Sequence, residues 1–191
     1  MNTNEHLNEG RLLSEAAMPK SSVTRTIRLE KGLDEVIQKI ADEEKVTVNS
    51  LVNRSLRKFV DWDVYAEKFG IVAMTPWLFV ELMEKQSPDE ARELGRRVAR
   101  QSARQAIETI FLDFTVTTAL GFIQLFGKYG GRYGYEDSVE GRRHVVLIRH
   151  GHGLKWSSYY EGMLRGLLED ELGLTIKVRV TPDACLARFE L

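Results

Sequence analysis

Seven residues, Val23-Thr24-Arg25-Thr26-Ile27-Arg28-Leu29, constrain what this chain can fold into more than any other stretch. In an extended conformation successive side chains point to opposite faces, so Val23, Arg25, Ile27 and Leu29 share one side and Thr24, Thr26 and Arg28 the other. Two helical patterns follow at once, and the next strand pattern lies more than about 100 residues on. A lone strand leaves a row of unpaired N–H and C=O groups. The pattern therefore predicts that two copies of the chain pair along this stretch, which makes a dimer the folding unit.

The helical patterns are amphipathic. Leu33, Val36, Ile37, Ile40 and Ala41 recur at helical spacing, with Lys31, Asp34, Glu35, Lys39 and Asp42 on the other face. The pattern stops near Glu44-Lys45-Val46. Thr47 then offers an N-cap hydroxyl to a second helix with an inward stripe of Val48, Leu51, Val52, Ser55, Leu56, Phe59 and Val60.

One strand followed by two helices, over about residues 22–61, resembles the ribbon-helix-helix DNA-binding family, which includes the methionine and Arc repressors and the nickel-responsive regulator. The resemblance implies a module over residues 22–62 that binds double-stranded DNA. Its paired strands would enter the major groove, and Thr24, Thr26 and Arg28 would read bases. An arginine fork can take guanine O6 and N7 together, and a threonine offers a hydroxyl and a methyl. The resemblance also implies that the amides of Thr47, Val48 and Asn49 grip a phosphate at the second helix start, with Lys45 reaching toward one. Lys45 stands where many relatives have glycine; in a left-handed conformation it costs about 1 kcal/mol relative to glycine.

Composition narrows the classes. Of 191 residues 43% are hydrophobic and 29% charged, enough for a packed core. A net charge of −1 argues against coating nucleic acid through bulk charge, so any DNA contact must come from local placement of arginine and lysine. Cys185 is the single cysteine, which excludes an intrachain disulfide and a multi-cysteine zinc site. No stretch approaches 18 continuous apolar residues and the start lacks a signal pattern, so the expectation is a cytoplasmic, nucleoid-associated protein without a membrane partner.

Along the chain, residues 1–21 read as a flexible arm and Gly70 as a boundary, with residues 71–191 as a second module for oligomerisation or sensing. Thr75-Pro76 and Ser87-Pro88-Asp89-Glu90 are helix starts. The helix opened by the second carries Arg92, Arg96, Arg100 and Arg104 at steps of four, a basic ridge that suits either DNA backbone or a solvated face offset by Glu90, Glu93 and Glu108. Beside it Ala99, Ser102, Ala103 and Ala106 permit close approach of another helix. Phe111 to Phe126 reads as a buried helix. Gly127 to Gly134 reads as a loop with a short strand near Tyr133 to Tyr135. A strand over His144 to Arg149, a helical stripe from Trp156 to Leu172, and strands at Leu174 to Val180 and Ala184 to Phe189 complete a mixed α/β (α+β) class.

Three chemistries are weighed. His144, His150 and His152 invite a divalent transition metal, with Cys185 as a fourth ligand; the competing reading is a glycine-rich turn with a histidine at a strand end. Gly151, His152, Gly153, Lys155 and Ser157 could form an anion pocket at a helix start. Catalysis has no support, because no nucleophile with a base, no paired carboxylates and no phosphate-binding glycine motif appears. The expected function is a homodimeric, sequence-specific transcriptional regulator. The alternatives are an antitoxin-type binder of DNA and a toxin, or an architectural chromatin protein using the arginine ridge.

Overall fold

A computed structural model describes residues 22–191, and its contacts divide them after Lys68 into two units. The expected arm, residues 1–21, lies outside the described residues.

In the first unit, residues 22–30 are exposed and form no strand, and α1 (Lys31–Glu44) follows. This corrects the expected ribbon. Alternation makes the segment extended, but pairing needs a second strand, and among the described residues none lies alongside Thr24, Thr26 or Arg28. Helix α1 ends as the glycine-like turn requires. Lys45 is left-handed at φ 54°, its N–H bonds to Asp42 O and the Val46 N–H to Ala41 O, satisfying two terminal carbonyls. Helix α2 (Val48–Lys58) starts where Thr47 Oγ1 accepts from the Ser50 N–H at 3.1 Å. It continues through a π-helical stretch (Phe59–Asp63) into α3 (Val64–Lys68). Ala41 and Leu51 are buried, but Leu33, Val36, Leu56, Phe59 and Val60 remain exposed on the apolar stripe. Of the residues expected to grip phosphate, Thr47 caps α2, Lys45 closes the preceding helix, and Asn49 accepts from the Asn53 side chain at 3.1 Å.

The second unit is α+β. Its helices are α4 (Pro76–Glu84), α5 (Pro88–Val98), a π stretch (Ala99–Ala103), α6 (Arg104–Phe111) and α7 (Val116–Gly130). Then come β1 (Gly134–Glu140), β2 (Arg143–Arg149), α8 (Leu154–Arg165) with a π stretch (Gly166–Glu171), β3 (Lys177–Thr181) and β4 (Ala184–Glu190). All strand pairs are antiparallel, in the order β1-β2-β4-β3. Val146 and Ile148 of β2 stand opposite Ala187 and Cys185 of β4, and all four are fully buried, so this face carries the core. Their β2 neighbours Val145 and Leu147 are only half-buried, which corrects the expectation of a strand covered on both faces.

Helix starts are legible locally. Ser87 and Glu90 form a reciprocal capping box as expected, whereas a second box of Thr115 with Thr118 starts α7 after a left-handed Leu112 and breaks the single helix expected from Phe111 to Phe126. What holds the helical layer is closer packing than side chains allow. A Cβ at Gly95 would lie 2.1 Å from Tyr159 O, one at Gly162 1.9 Å from Arg92 O, and one at Gly166 2.6 Å from Ala99 Cβ. Helices α5 and α8 thus meet backbone to backbone along Ala91, Gly95 and Ala99, all buried.

That contact places the arginine ridge, and corrects it. Arg92 bonds to Glu161 at 2.9 Å; Arg96 pairs with Glu169 at 3.3 Å and Asp170 at 3.4 Å; Arg100 pairs with Asp170 at 3.4 Å; Arg104 pairs with Glu171. The ridge is one side of an ion-pair ladder between two helices of the same unit. Its guanidinium groups are engaged by carboxylates of the same unit. Among the described residues no single helix is long and apolar enough to cross a membrane.

Candidate functional site

One end of the sheet gathers three turns. Gly134 opens β1 opposite Arg149, the last residue of β2, which is itself opposite Ala184, the first of β4. The α7–β1 turn, the β2–α8 loop and the β3–β4 turn therefore meet there. They enclose an open cleft of about 570 Å3 lined by Arg132, Tyr133, Arg149, His150, His152 and Asp183 together with backbone of their neighbours.

Hydrogen bonds set the state of each histidine. His150 Nδ1 accepts from the His152 N–H at 3.0 Å, so Nδ1 carries no proton and Nε2 donates to Ser157 Oγ at 2.9 Å. Ser157 Oγ in turn donates to Thr181 O, and the His150 N–H bonds to Asp183 O at 2.9 Å. His150 thereby ties the start of α8 to the β3–β4 turn. His152 Nε2 donates to Arg132 O at 3.0 Å, which leaves Nδ1 as the lone-pair nitrogen of that ring.

Burial, with the neighbouring His152, lowers the His150 pKa from 6.5 to about 4, against the opposing pull of Asp183. Since the unfolded chain binds this proton more readily, stability is complete above pH 6.5 and falls as pH drops toward 4. With solvent screening the loss is expected to be about 1–2 kcal/mol. Urea unfolding at pH 7 and pH 4.5 measures it, and His150→Ala should remove that part of the pH dependence. A wild-type stability that is flat across this range contradicts the neutral, hydrogen-bonded imidazole.

The expected metal set does not assemble. His144 lies at the far end of β2, stacked on Phe189 at 5.1 Å, about 20 Å of strand from His150. Both ring nitrogens of His150 are engaged, and among the described residues no group of three or more His, Cys, Asp or Glu could hold a metal ion. Cys185 is fully buried, and burial pushes its thiol up to about 12. The anion pocket changes membership as well. Lys155 reaches Glu84 Oε2 at 3.2 Å and Ser157 serves His150, while Gly151 and His152 stay on the cleft.

Residues that the sequence did not single out complete the site. Arg132 donates to Met74 O at 3.0 Å and holds its guanidinium 4.4 Å from the centre of the Phe79 ring. Phe79 also stacks on Trp156 at 3.6 Å and meets the edge of His152 at 5.4 Å. Tyr160 packs against His150 at 5.0 Å and Tyr133 at 5.1 Å; its hydroxyl is buried without a partner, and burial raises its pKa. The signal for Arg132 was its place between the glycines at 131 and 134, where the backbone turns into a strand.

No family model matches the chain, and no curated relative is found. Among solved structures it is similar to a Cs H-NOX mutant with the unnatural amino acid 4-cyano-L-phenylalanine, at 15% identity and a TM-score of 0.40 over 70% of this chain and 85% of that one. It is also similar to a single-site mutant of T. Tengcongensis H-NOX, at 14% and 0.37 over 72% and 90%. A third is an oxygen-binding H-NOX domain related to soluble guanylate cyclases, in its oxygen complex, at 10% and 0.25 over 90% and 77%. Likeness at this level assigns this chain neither family nor cofactor. Among the described residues, 22–30 pair with no strand, and the arginine ridge is engaged inside its own unit. These two findings correct the expected DNA-binding homodimer with its antitoxin and chromatin alternatives and its double-stranded DNA partner, and leave nucleoid association without support.

Proposed function

We propose that the second unit is a sensor module that binds a small molecule at the open end of its sheet and performs no chemistry on it. The cleft carries this reading. Its volume of about 570 Å3 falls in the range that small ligands occupy, and few polar groups converge on it. The Arg132 guanidinium supplies donors and His152 Nδ1 an acceptor, so the lining can orient a ligand by hydrogen bonds. The absence of turnover is argued from the same contacts. Ser157 Oγ donates to a backbone carbonyl, His150 is held neutral with both nitrogens engaged, and the Cys185 thiol is buried. None of these is free to act as a nucleophile or a base.

A fragment screen by nuclear magnetic resonance tests the reading. Binders are expected to shift the resonances of Gly151, His152 and Arg132, and His152→Ala is expected to weaken them about tenfold or more. Fragments that bind only outside the cleft, or a library that yields no binder, overturn it.

A further inference from the structure

We propose that the ligand of this cleft is a carboxylate, and that it binds by drawing the Arg132 guanidinium away from α4. The proposal rests on the reading of the cleft as a ligand site. Of the two arginines that line the cleft, Arg149 pairs with Glu136 at 3.5 Å. Arg132 has no ion pair among the described residues, although it lines the cleft; its contacts are one hydrogen bond to Met74 O and the face of Phe79. A guanidinium presents five N–H donors in a planar fork that matches a carboxylate with two parallel bonds, a stronger arrangement than one bond to a neutral carbonyl.

The contact that Arg132 would surrender is structural. Helix α4 is nine residues long, and Trp77 and Leu82 on its outer side are 68% and 59% exposed. Met83 is its buried residue, and Phe79 is its tie to the cleft side: Trp156 stacks on the ring and donates from Nε1 to Phe79 O at 3.2 Å, and Arg132 covers the ring while bonding to Met74 at the approach to the helix. Lys155 ties the far end through Glu84. Taking Arg132 removes two of these ties at once.

Hydrogen exchange on the full chain tests this with acetate, benzoate and succinate at millimolar concentration, and with benzamide as the neutral match to benzoate. At least one carboxylate is expected to raise the exchange of residues 74–84 saturably, by about tenfold, with benzamide inert. Arg132→Gln should exchange quickly there without ligand and should not respond to the carboxylates. Arg132→Lys keeps the charge without the fork, and should respond more weakly. Benzamide acting as well as benzoate, or a carboxylate that binds in the cleft with 74–84 unchanged, overturns the proposal. If neutral or cationic fragments shift His152 while no carboxylate does, the proposal fails and the sensor reading stands. If nothing binds in the cleft, both fail.

Discussion

Gly162→Ala is expected to unfold the second unit, at a cost of about 3–5 kcal/mol or more. The added Cβ would lie 1.9 Å from Arg92 O and 2.8 Å from its carbonyl carbon, and both atoms belong to the backbone of α5. No rotamer relieves such an overlap. The helices must separate, and separation opens the buried contacts at Ala91, Gly95 and Ala99. Gly32→Ala is the control: Gly32 lies in α1 with nothing within 4 Å of its added Cβ, so the change should be neutral or stabilise by up to about 1 kcal/mol through helix propensity. Urea unfolding followed by near-ultraviolet circular dichroism measures both. A Gly162→Ala chain within about 1 kcal/mol of wild type would show that α5 and α8 do not touch here.

The second large effect belongs to Glu161. Its carboxylate is buried between two arginines, accepting from Arg92 Nε at 2.9 Å and Arg165 Nε at 3.0 Å. Arg92 is held above its ordinary pKa chiefly by this bond, with Asp89 second. Glu161→Ala removes the shared acceptor and leaves two partly buried guanidinium groups facing each other's charge. A loss of about 1–3 kcal/mol is expected, from two lost charge-assisted hydrogen bonds and weaker charge compensation, since Arg92 keeps Asp89 and Arg165 keeps Glu169. Glu161→Gln keeps one acceptor oxygen and should lose roughly half as much. Denaturant unfolding with and without added salt separates the causes. Since the pair is sheltered, salt should change the wild type little and partly rescue the alanine variant by screening the two arginines. Equal stability of wild type and Glu161→Ala would mean that the network contributes nothing net.

The ladder containing Glu161 shows where sequence reading stops. Steps of four from Arg92 to Arg104 place the guanidinium groups on one side of a helix, and that spacing is visible in the chain. Their partners, Glu161, Glu169, Asp170 and Glu171, stand about 65 to 80 residues later, and nothing local links the two sets. Charge periodicity gives a face but not what the face meets. The small residues beside the ridge were the better clue, since a surface without side chains is suited to close helix contact.

The sheet divides in the same way. Strands β2 and β4 carry apolar residues on the buried face, and both were legible. Strand β1 was read as a glycine loop with a short strand, because Glu136, Asp137, Ser138 and Glu140 are polar on an edge and its backbone is paired only to β2. The opposite error occurred at Val23 to Leu29, where alternation suggested a strand but no neighbour completes one among the described residues. For the site, His150 and His152 both stand on the loop that lines the cleft. His150 and His152 are there, yet their rings serve Ser157, a backbone N–H and Arg132 O rather than a metal.

The sequence by itself determined the elements whose causes lie within a few residues: the capping box at Ser87, the Thr47 cap, the amphipathic helices and the apolar strands. Tertiary structure alone decided which arginines are neutralised, which histidine nitrogen is free, and that Arg132 faces a cleft. Caps and periodicity act over one or two turns of chain, whereas charge neutralisation, desolvation and hydrogen-bond partners depend on groups brought together from distant positions, and their energies exist only once the chain has packed.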